Sequence, residues 1–258
     1  MNHRLAKPLA LIDVLRLLHI TSINFLRKLT LLFILIFTVQ IISFSQKKSY
    51  DKVEFYIKPK KKIDSTFYKT KIQELDSLFG KNKILPKDYR LQCLIALSFF
   101  PKLKEIPIQF KLKRISTTMQ CRPSFKRLVG KQPHNYKLYI NKKNNFKGVL
   151  INEVPFNAQI GLIGHELAHI IDFESPEKNH LISRAMDYCT KKRKKKFEHC
   201  IDSLTIVHGL GWQLYDWSFF SLNNLKSSKK YKKFKSEIYM LPKLILLQIK
   251  TNAIYKLD

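Results

Sequence analysis

The segment 161–173, GLIGHELAHIIDF, constrains the fold more than any other part of the chain. It is an apolar run that contains His-Glu-x-x-His, and its length and composition predict a buried helix. Residues four apart lie on the same face of a helix, so His165 and His169 project from one face, one turn apart. Burying such polar groups without a partner costs several kcal/mol. The fold must therefore provide a partner for them in its interior.

A metal ion is the partner that this spacing indicates. Two imidazoles one turn apart can bind one zinc ion through ring nitrogens, and Glu166 is then placed to take a proton from a zinc-bound water. Zinc lowers the pKa of that water, and the resulting hydroxide can attack a peptide carbonyl. By composition, roughly one such chain in a hundred contains this motif by accident. The alternative is a core helix with two satisfied histidines and a surface glutamate.

A zinc site in a hydrolase needs a third protein ligand, and the sequence offers two carboxylates. Asp172 lies three residues after His169 on the same helix face, as the aspartate ligand does in the aspzincins. Glu198 opens a second helical pattern in which Asp202 follows at i+4, on the same face. A metzincin would have a histidine at the position of Ser175, which excludes that class. From the residues alone, Asp172 and Glu198 both remain candidates for the third ligand.

The two motifs, His165-Glu166-x-x-His169 and Glu198-x-x-x-Asp202, together resemble the gluzincin metallopeptidases, in particular their CAAX-type endopeptidase branch. The resemblance covers residues 157–211. It implies that Glu198 is the third zinc ligand, that Glu166 is the catalytic base, and that Asp202 hydrogen-bonds a ligand histidine and fixes its tautomer. The spacer between the motifs is shorter than in that branch, so a CAAX-type substrate is not implied.

The hydrophobic patterning predicts an α+β fold. Before the motif helix it predicts two helices and a small sheet, the order of a zincin's N-terminal lobe, and after it a helical C-terminal part. The predicted elements are helices at 64–80, 86–101 and 181–188 and strands at 106–112, 136–140 and 149–151. We expect the segment 148–153 to be the sheet edge that pairs with an extended substrate backbone.

Residues 29–44 form an uncharged apolar stretch that follows Arg27 and Lys28 and precedes small residues suited to a cleavage site. This order is typical of a signal peptide, and the stretch is shorter than the roughly 20 residues that span a bilayer. An uncleaved anchor is the alternative, so we expect export to the periplasm or cell surface, or tethering through residues 29–44. The predicted organisation is an N-terminal extension with signal or anchor at 1–45, a basic leader at 46–62 and a metallopeptidase domain at 63–258.

The formal net charge is +29, and an unbroken basic run occupies positions 191–196, between the two motifs. Such charge attracts anionic surfaces, including lipid headgroups and envelope polymers. No RNA-binding signature accompanies the run, so no nucleic-acid partner is expected. Lysines scattered over the surface by a biased composition are the alternative.

Two functions are compatible with these patterns. The first is an exported zinc endopeptidase acting on a protein or peptide substrate, with His208 or Tyr215 as a donor to the oxyanion. The second is a non-catalytic basic protein of the cell envelope with a structural or vestigial zinc site. None of the four cysteines has zinc-knuckle spacing, which argues against a second metal site.

Overall fold

The chain divides into two units, Met1–Lys52 and Val53–Asp258. The computed structural model describes residues 58–123, 135–177 and 180–256, together with residues 30, 31 and 34. The predicted signal peptide or anchor at 29–44 therefore lies outside the described residues, except for those three, which are helical. Within the part of the chain that is described, no helix is both long and apolar enough to cross a bilayer.

A small mixed sheet forms the first layer of the second unit. Its strands are β1 (Lys83–Ile84), β2 (Ile108–Lys113), β3 (Met119–Pro123) and β4 (Tyr136–Asn141), in the order β1-β2-β4-β3. The pairs β1–β2 and β2–β4 are parallel, whereas β3 runs antiparallel to β4 at the sheet edge. Alternate residues of β2 and β4, such as Ile108 and Leu138, are buried, as the period of two predicts.

The strand predicted at 149–151 is wrong. This stretch enters a short 3-10 helix, Ile151–Glu153, in which the Glu153 carboxylate accepts a hydrogen bond of 3.0 Å from the Leu150 backbone N–H. Val149 and Ile151 are both buried, as the alternating pattern predicts, but they are buried by a turn that leads into the 3-10 helix and not by a strand. The expected substrate edge at 148–153 is therefore not part of the sheet, and β3 takes the edge position instead.

Helices make up most of the described chain, which confirms an α+β class with a mainly helical C-terminal part. They are α1 (Ser65–Thr70), α2 (Ile72–Phe79), α3 (Arg90–Ser98), α4 (Phe156–Phe173), α5 (His180–Asp187), α6 (Lys191–Thr205), α7 (Gly211–Asn223), α8 (Lys229–Ile238) and α9 (Pro242–Thr251). The helix predicted at 64–80 is interrupted at Lys71, and α5 matches the prediction at 181–188. A π-helical segment, Ile206–Leu210, joins α6 to α7.

Helix α4 lies at the centre of the fold, in contact with α3, α6, α7 and β3. Its packing against α7 is unusually close: a Cβ atom at Gly161 would lie 2.1 Å from the carbonyl oxygen of Gln213. Because glycine has no Cβ, this position lets the two helix backbones approach. The close approach keeps α4 buried on several sides, and so it places the His-Glu-x-x-His residues in the interior.

Candidate metal centre

Two helices contribute the side chains of the centre. Helix α4 supplies His165, Glu166 and His169, each 5% exposed, and α6 supplies Glu198, which is 2% exposed. The Glu198 Oε2 atom lies 3.3 Å from His165 Nε2 and 3.6 Å from His169 Nε2. One ligand atom from each of these three residues falls within 4.8 Å of the others. The buried group His165, His169 and Glu198 could therefore hold a metal ion.

The unsatisfied atoms of the group fit a bound cation. Glu198 Oε2 is buried and has no well-formed hydrogen bond within the described chain, and the same is true of His169 Nδ1. A buried polar atom left in this state costs about 1–3 kcal/mol. Two imidazole nitrogens and one carboxylate oxygen are also a donor set that zinc prefers in hydrolase sites. An ion among the three donors would satisfy the carboxylate oxygen.

Asp202 fixes the orientation of one imidazole. Its Oδ1 atom lies 2.8 Å from His165 Nδ1, and its Oδ2 atom accepts a hydrogen bond of 2.9 Å from the Met240 backbone N–H. A carboxylate at Nδ1 holds the proton there and leaves Nε2 free as a donor to a metal. The i, i+4 spacing of Glu198 and Asp202 brings both carboxylates to His165.

The carboxylates also shift the pKa values of the centre. Burial disfavours the imidazolium form of His165, but the hydrogen bond to Asp202 and the adjacent Glu198 carboxylate outweigh it and raise the pKa of His165 to about 10. Burial likewise opposes ionisation of Glu198, yet the two imidazoles lower its pKa below the ordinary value. Burial is the main reason that the pKa of Glu166 is raised. A raised pKa suits a carboxylate that must take up and release a proton.

Asp172, the alternative ligand, is not part of the metal-binding group. Its carboxylate accepts hydrogen bonds of 2.7 and 2.8 Å from the guanidinium of Arg184, and it lies 3.1 Å from His180 Nε2. Both partners belong to α5. The structure thus uses Asp172 to connect the end of α4 to α5, while Glu198 lies against the two histidines.

A cavity of about 20 Å³ adjoins the centre and contains residues that sequence reasoning missed. Its lining residues are Thr117, Thr118, Met119, Leu162, His165, Glu166, Trp217, Tyr231, Phe234, Lys235 and Tyr239. The Lys235 ammonium lies 3.5 Å from the centroid of the Tyr239 ring and 5.1 Å from that of Trp217. Burial lowers the pKa of Lys235 to about 8, against the opposing effect of Asp202, Glu198 and Glu166.

The sequence gives only a weak indication that Lys235 is buried. On α8 it lies four residues after Tyr231 and three before Ile238, and these three residues form the buried stripe of the helix. The surrounding sequence is so rich in lysine that one inward-facing lysine does not stand out. Tyr188 was also missed; its hydroxyl donates a hydrogen bond of 3.3 Å to Glu198 Oε1.

The two residues considered for the oxyanion lie elsewhere. His208 Nδ1 is 2.8 Å from the Leu204 carbonyl oxygen, and its ring stacks on Phe100. Tyr215 lines a different pocket with Trp212. Neither residue lines the cavity beside Glu166.

No known protein family, curated protein or solved structure matches the chain. Its function is therefore inferred from the chemistry of its own residues.

Proposed function

We propose that the chain is a zinc-dependent metallopeptidase of the zincin type, exported or tethered at the cell surface, that hydrolyses peptide bonds in a protein or peptide substrate. One observation carries the proposal. The buried group His165, His169 and Glu198 offers three donors to one ion, and a buried glutamate, Glu166, adjoins it in the same helix. The resemblance of the two motifs to gluzincins supports the same assignment.

Each residue has a role in this proposal. His165, His169 and Glu198 would hold zinc, which when bound lowers the pKa of a water molecule and polarises a carbonyl. Glu166 lines the cavity next to the centre, takes a proton as general base and returns it to the leaving amine. Asp202 keeps the His165 ring in the tautomer that presents Nε2.

Lys235 replaces His208 and Tyr215 as the group proposed for the oxyanion. Lys235 lines the same cavity as Glu166, and the residue is only 9% exposed. A fixed positive charge in a water-poor site stabilises the negative charge that develops on a carbonyl oxygen. Strand β3 replaces the segment 148–153 as the proposed substrate edge, because it is the edge strand from which a residue, Met119, lines the cavity.

The test is the substitution Glu166→Gln, with zinc content and hydrolysis of casein and of a mixed peptide library measured on the same preparation. We expect zinc to be retained and hydrolysis to fall by about two to four orders of magnitude, as for loss of a general base. Glu105→Gln is the matched control, since that carboxylate is largely exposed and pairs with Lys81; it should leave hydrolysis unchanged. Equal hydrolysis by Glu166→Gln and wild type would reject the proposal.

One observation favours the second function, a non-catalytic envelope protein with a structural zinc site. The cavity beside Glu166 has room for about one water molecule, far less than a peptide needs. A peptidase must therefore move α8 and Tyr239 away from the centre to admit its substrate. Zinc that raises the melting temperature of wild type, with no hydrolysis of any peptide in the library, would select the structural role.

A further inference from the structure

Helix α5 exposes apolar side chains that a surface helix usually places against the protein. On the inner side, Leu181 is partly buried against the core, His180 and Arg184 bind Asp172, and Arg184 also pairs with Asp187 at 3.1 Å. On the outer side, Ile182 is 62% exposed and Met186, one turn later, is 48% exposed. No residue of α5 is buried. Ordinary surface helices bury most of their apolar residues.

The hydrogen bonds of α5 explain why the helix cannot rotate about its axis to bury Ile182 and Met186. Arg184 forms a bidentate salt bridge with Asp172, whose side chain is only 8% exposed. Rotation of α5 would therefore leave a buried carboxylate unpaired. Breaking such a pair costs about 3–5 kcal/mol, which offsets the gain from burying two apolar side chains. The outward position of Ile182 and Met186 is therefore built into the fold.

A basic face lies immediately beyond α5. The first two turns of α6 contain the run Lys191–Lys196, and Arg193 connects the two helices through a 3.3 Å contact with Asp187. Lys191 pairs with Glu237, and Lys194 lies over the rings of Tyr188 and Phe234. The remaining three lysines are exposed: Lys192, Lys195 and Lys196. Of these, Lys195 lies near enough to Glu237 to help lower the pKa of that carboxyl. At i, i+3 and i+4 these three share one face of α6.

We propose that α5 and the start of α6 form a docking surface for an anionic lipid bilayer. The two halves of this surface match the two layers of a lipid surface. Ile182 and Met186 can insert at the boundary of the acyl chains, and the three exposed lysines can bind the anionic headgroups. A nucleic acid or another soluble polyanion would use the lysines but has no need of an exposed apolar helix face, so the bilayer is the partner that both features fit.

The surface adjoins the metal centre. Tyr188, at the end of α5, donates to Glu198, and the Arg184 guanidinium lies 4.7 Å from the ring centroid of Phe197, the residue before Glu198. Docking through α5 and α6 therefore holds the centre near the lipid surface. The docking surface does not depend on the proposed peptidase activity, so Glu166→Gln protein should bind vesicles as wild type does.

The experiment places an environment-sensitive nitrobenzoxadiazole label on the full chain, in a C189S/C200S background that lacks the exposed thiols. The test position is I182C, and the matched control is I84C, since Ile84 is 60% exposed and lies on β1, at the sheet edge opposite β3. Vesicles of phosphatidylglycerol mixed with phosphatidylcholine are compared with vesicles of phosphatidylcholine alone. Because each label reports only its local environment, attachment through residues 29–44 does not mask the result.

We expect a blue shift and an intensity gain at position 182 on the anionic vesicles, and neither change at position 84 or on the neutral vesicles. The triple substitution K192Q/K195Q/K196Q should raise the amount of anionic lipid needed for the shift by roughly a hundredfold, from about fivefold per lysine. The charge-matched triple K87Q/K111Q/K137Q, on exposed lysines of the sheet side, should not.

Three outcomes would overturn the proposal. The first is the same emission at positions 182 and 84 on anionic vesicles. The second is an equal shift on neutral vesicles, which removes the role of the lysines. The third is an equal shift at position 182 with single-stranded DNA and no vesicles, which makes the partner a soluble polyanion.

Discussion

Helix α4 buries two imidazoles and a carboxylate, whereas helix α5, which follows it in the chain, leaves Ile182 and Met186 in solvent. Both helices depart from the common arrangement of apolar residues inside and polar residues outside, and they do so in opposite senses. The buried polar groups of α4 lie with Glu198 in a group that could bind a metal ion, and α5 is followed in the chain by a run of exposed lysines. The two departures are the observations on which the two proposals, a metal ion and a lipid surface, are based.

The largest expected effect concerns the ion on the α4 side. Glu198→Gln should weaken zinc binding at least a hundredfold, because about 10 to 16 kcal/mol for a four-ligand zinc site gives roughly 3 kcal/mol per ligand. Competition with a chromophoric chelator measures this affinity. Asp172→Asn is the matched control, and it should keep near-wild-type affinity because Asp172 binds Arg184 instead. The reverse order of the two variants would make Asp172 the ligand.

Lys235→Met should stabilise the protein prepared without zinc, and it should reduce hydrolysis by the zinc-loaded protein. The pKa of Lys235 falls from 10.5 to about 8 on folding, so the unfolded chain holds this proton more tightly than the folded one. The resulting destabilisation is about 3 kcal/mol below pH 8, and it declines to zero as the pH rises towards 10.5. Denaturant unfolding at pH 7 and at pH 10 measures the difference between variant and wild type. A variant that is less stable than wild type at pH 7 contradicts the prediction.

Asp202→Asn should have an intermediate effect on the centre. The amide can donate a hydrogen bond to His165 Nδ1 and so favours the tautomer with the proton on Nε2, which cannot bind a metal. We expect a loss of about ten- to a hundredfold in zinc affinity, as for other residues that orient a metal ligand. Isothermal titration with zinc checks this value, and an unchanged affinity would show that Asp202 does not control the tautomer of His165.

The smallest expected effect tests the other half of the comparison. Ile182→Ala on α5 should change the free energy of unfolding by less than about 0.5 kcal/mol, because this side chain already contacts water. Ile163→Ala on α4 is the matched substitution at a fully buried position and should cost about 2–5 kcal/mol. Denaturant melts of both variants in the absence of lipid provide the measurement. A cost for Ile182→Ala close to that for Ile163→Ala would mean that the outer face of α5 is covered in solution.

The parts of the site that sequence could predict are those set by a local period. The helical repeat places His165 with His169 and Glu198 with Asp202, and the alternation in β2 and β4 gives two buried strand faces. The choice between Glu198 and Asp172 required tertiary structure. Both carboxylates share a face with a partner on their own helix, and only the packing of α5 and α6 on α4 decides what each one contacts.

Strand β3 and the orientation of α5 could not be predicted from local sequence patterns, and each has a physical reason. Strand β3 is short, ends at Pro123 and is defined by its antiparallel pairing with β4, which joins residues 13 to 21 positions apart in the chain. The amphipathic pattern of α5 predicts a helix with two faces but does not say which face is inside. That choice depends on Asp172, because Arg184 and His180 must turn inwards to reach it.

The hydrogen bond from Met240 to Asp202 extends the support of the proposed centre beyond the two helices that carry its motifs. Met240 follows Asp202 by 38 residues and lies between α8 and α9, and its N–H occupies the carboxylate oxygen that does not face His165. A displacement of this segment would remove one of the two contacts that fix Asp202 without touching any candidate ligand. The orientation of the His165 ring is therefore coupled to the packing of the C-terminal helices.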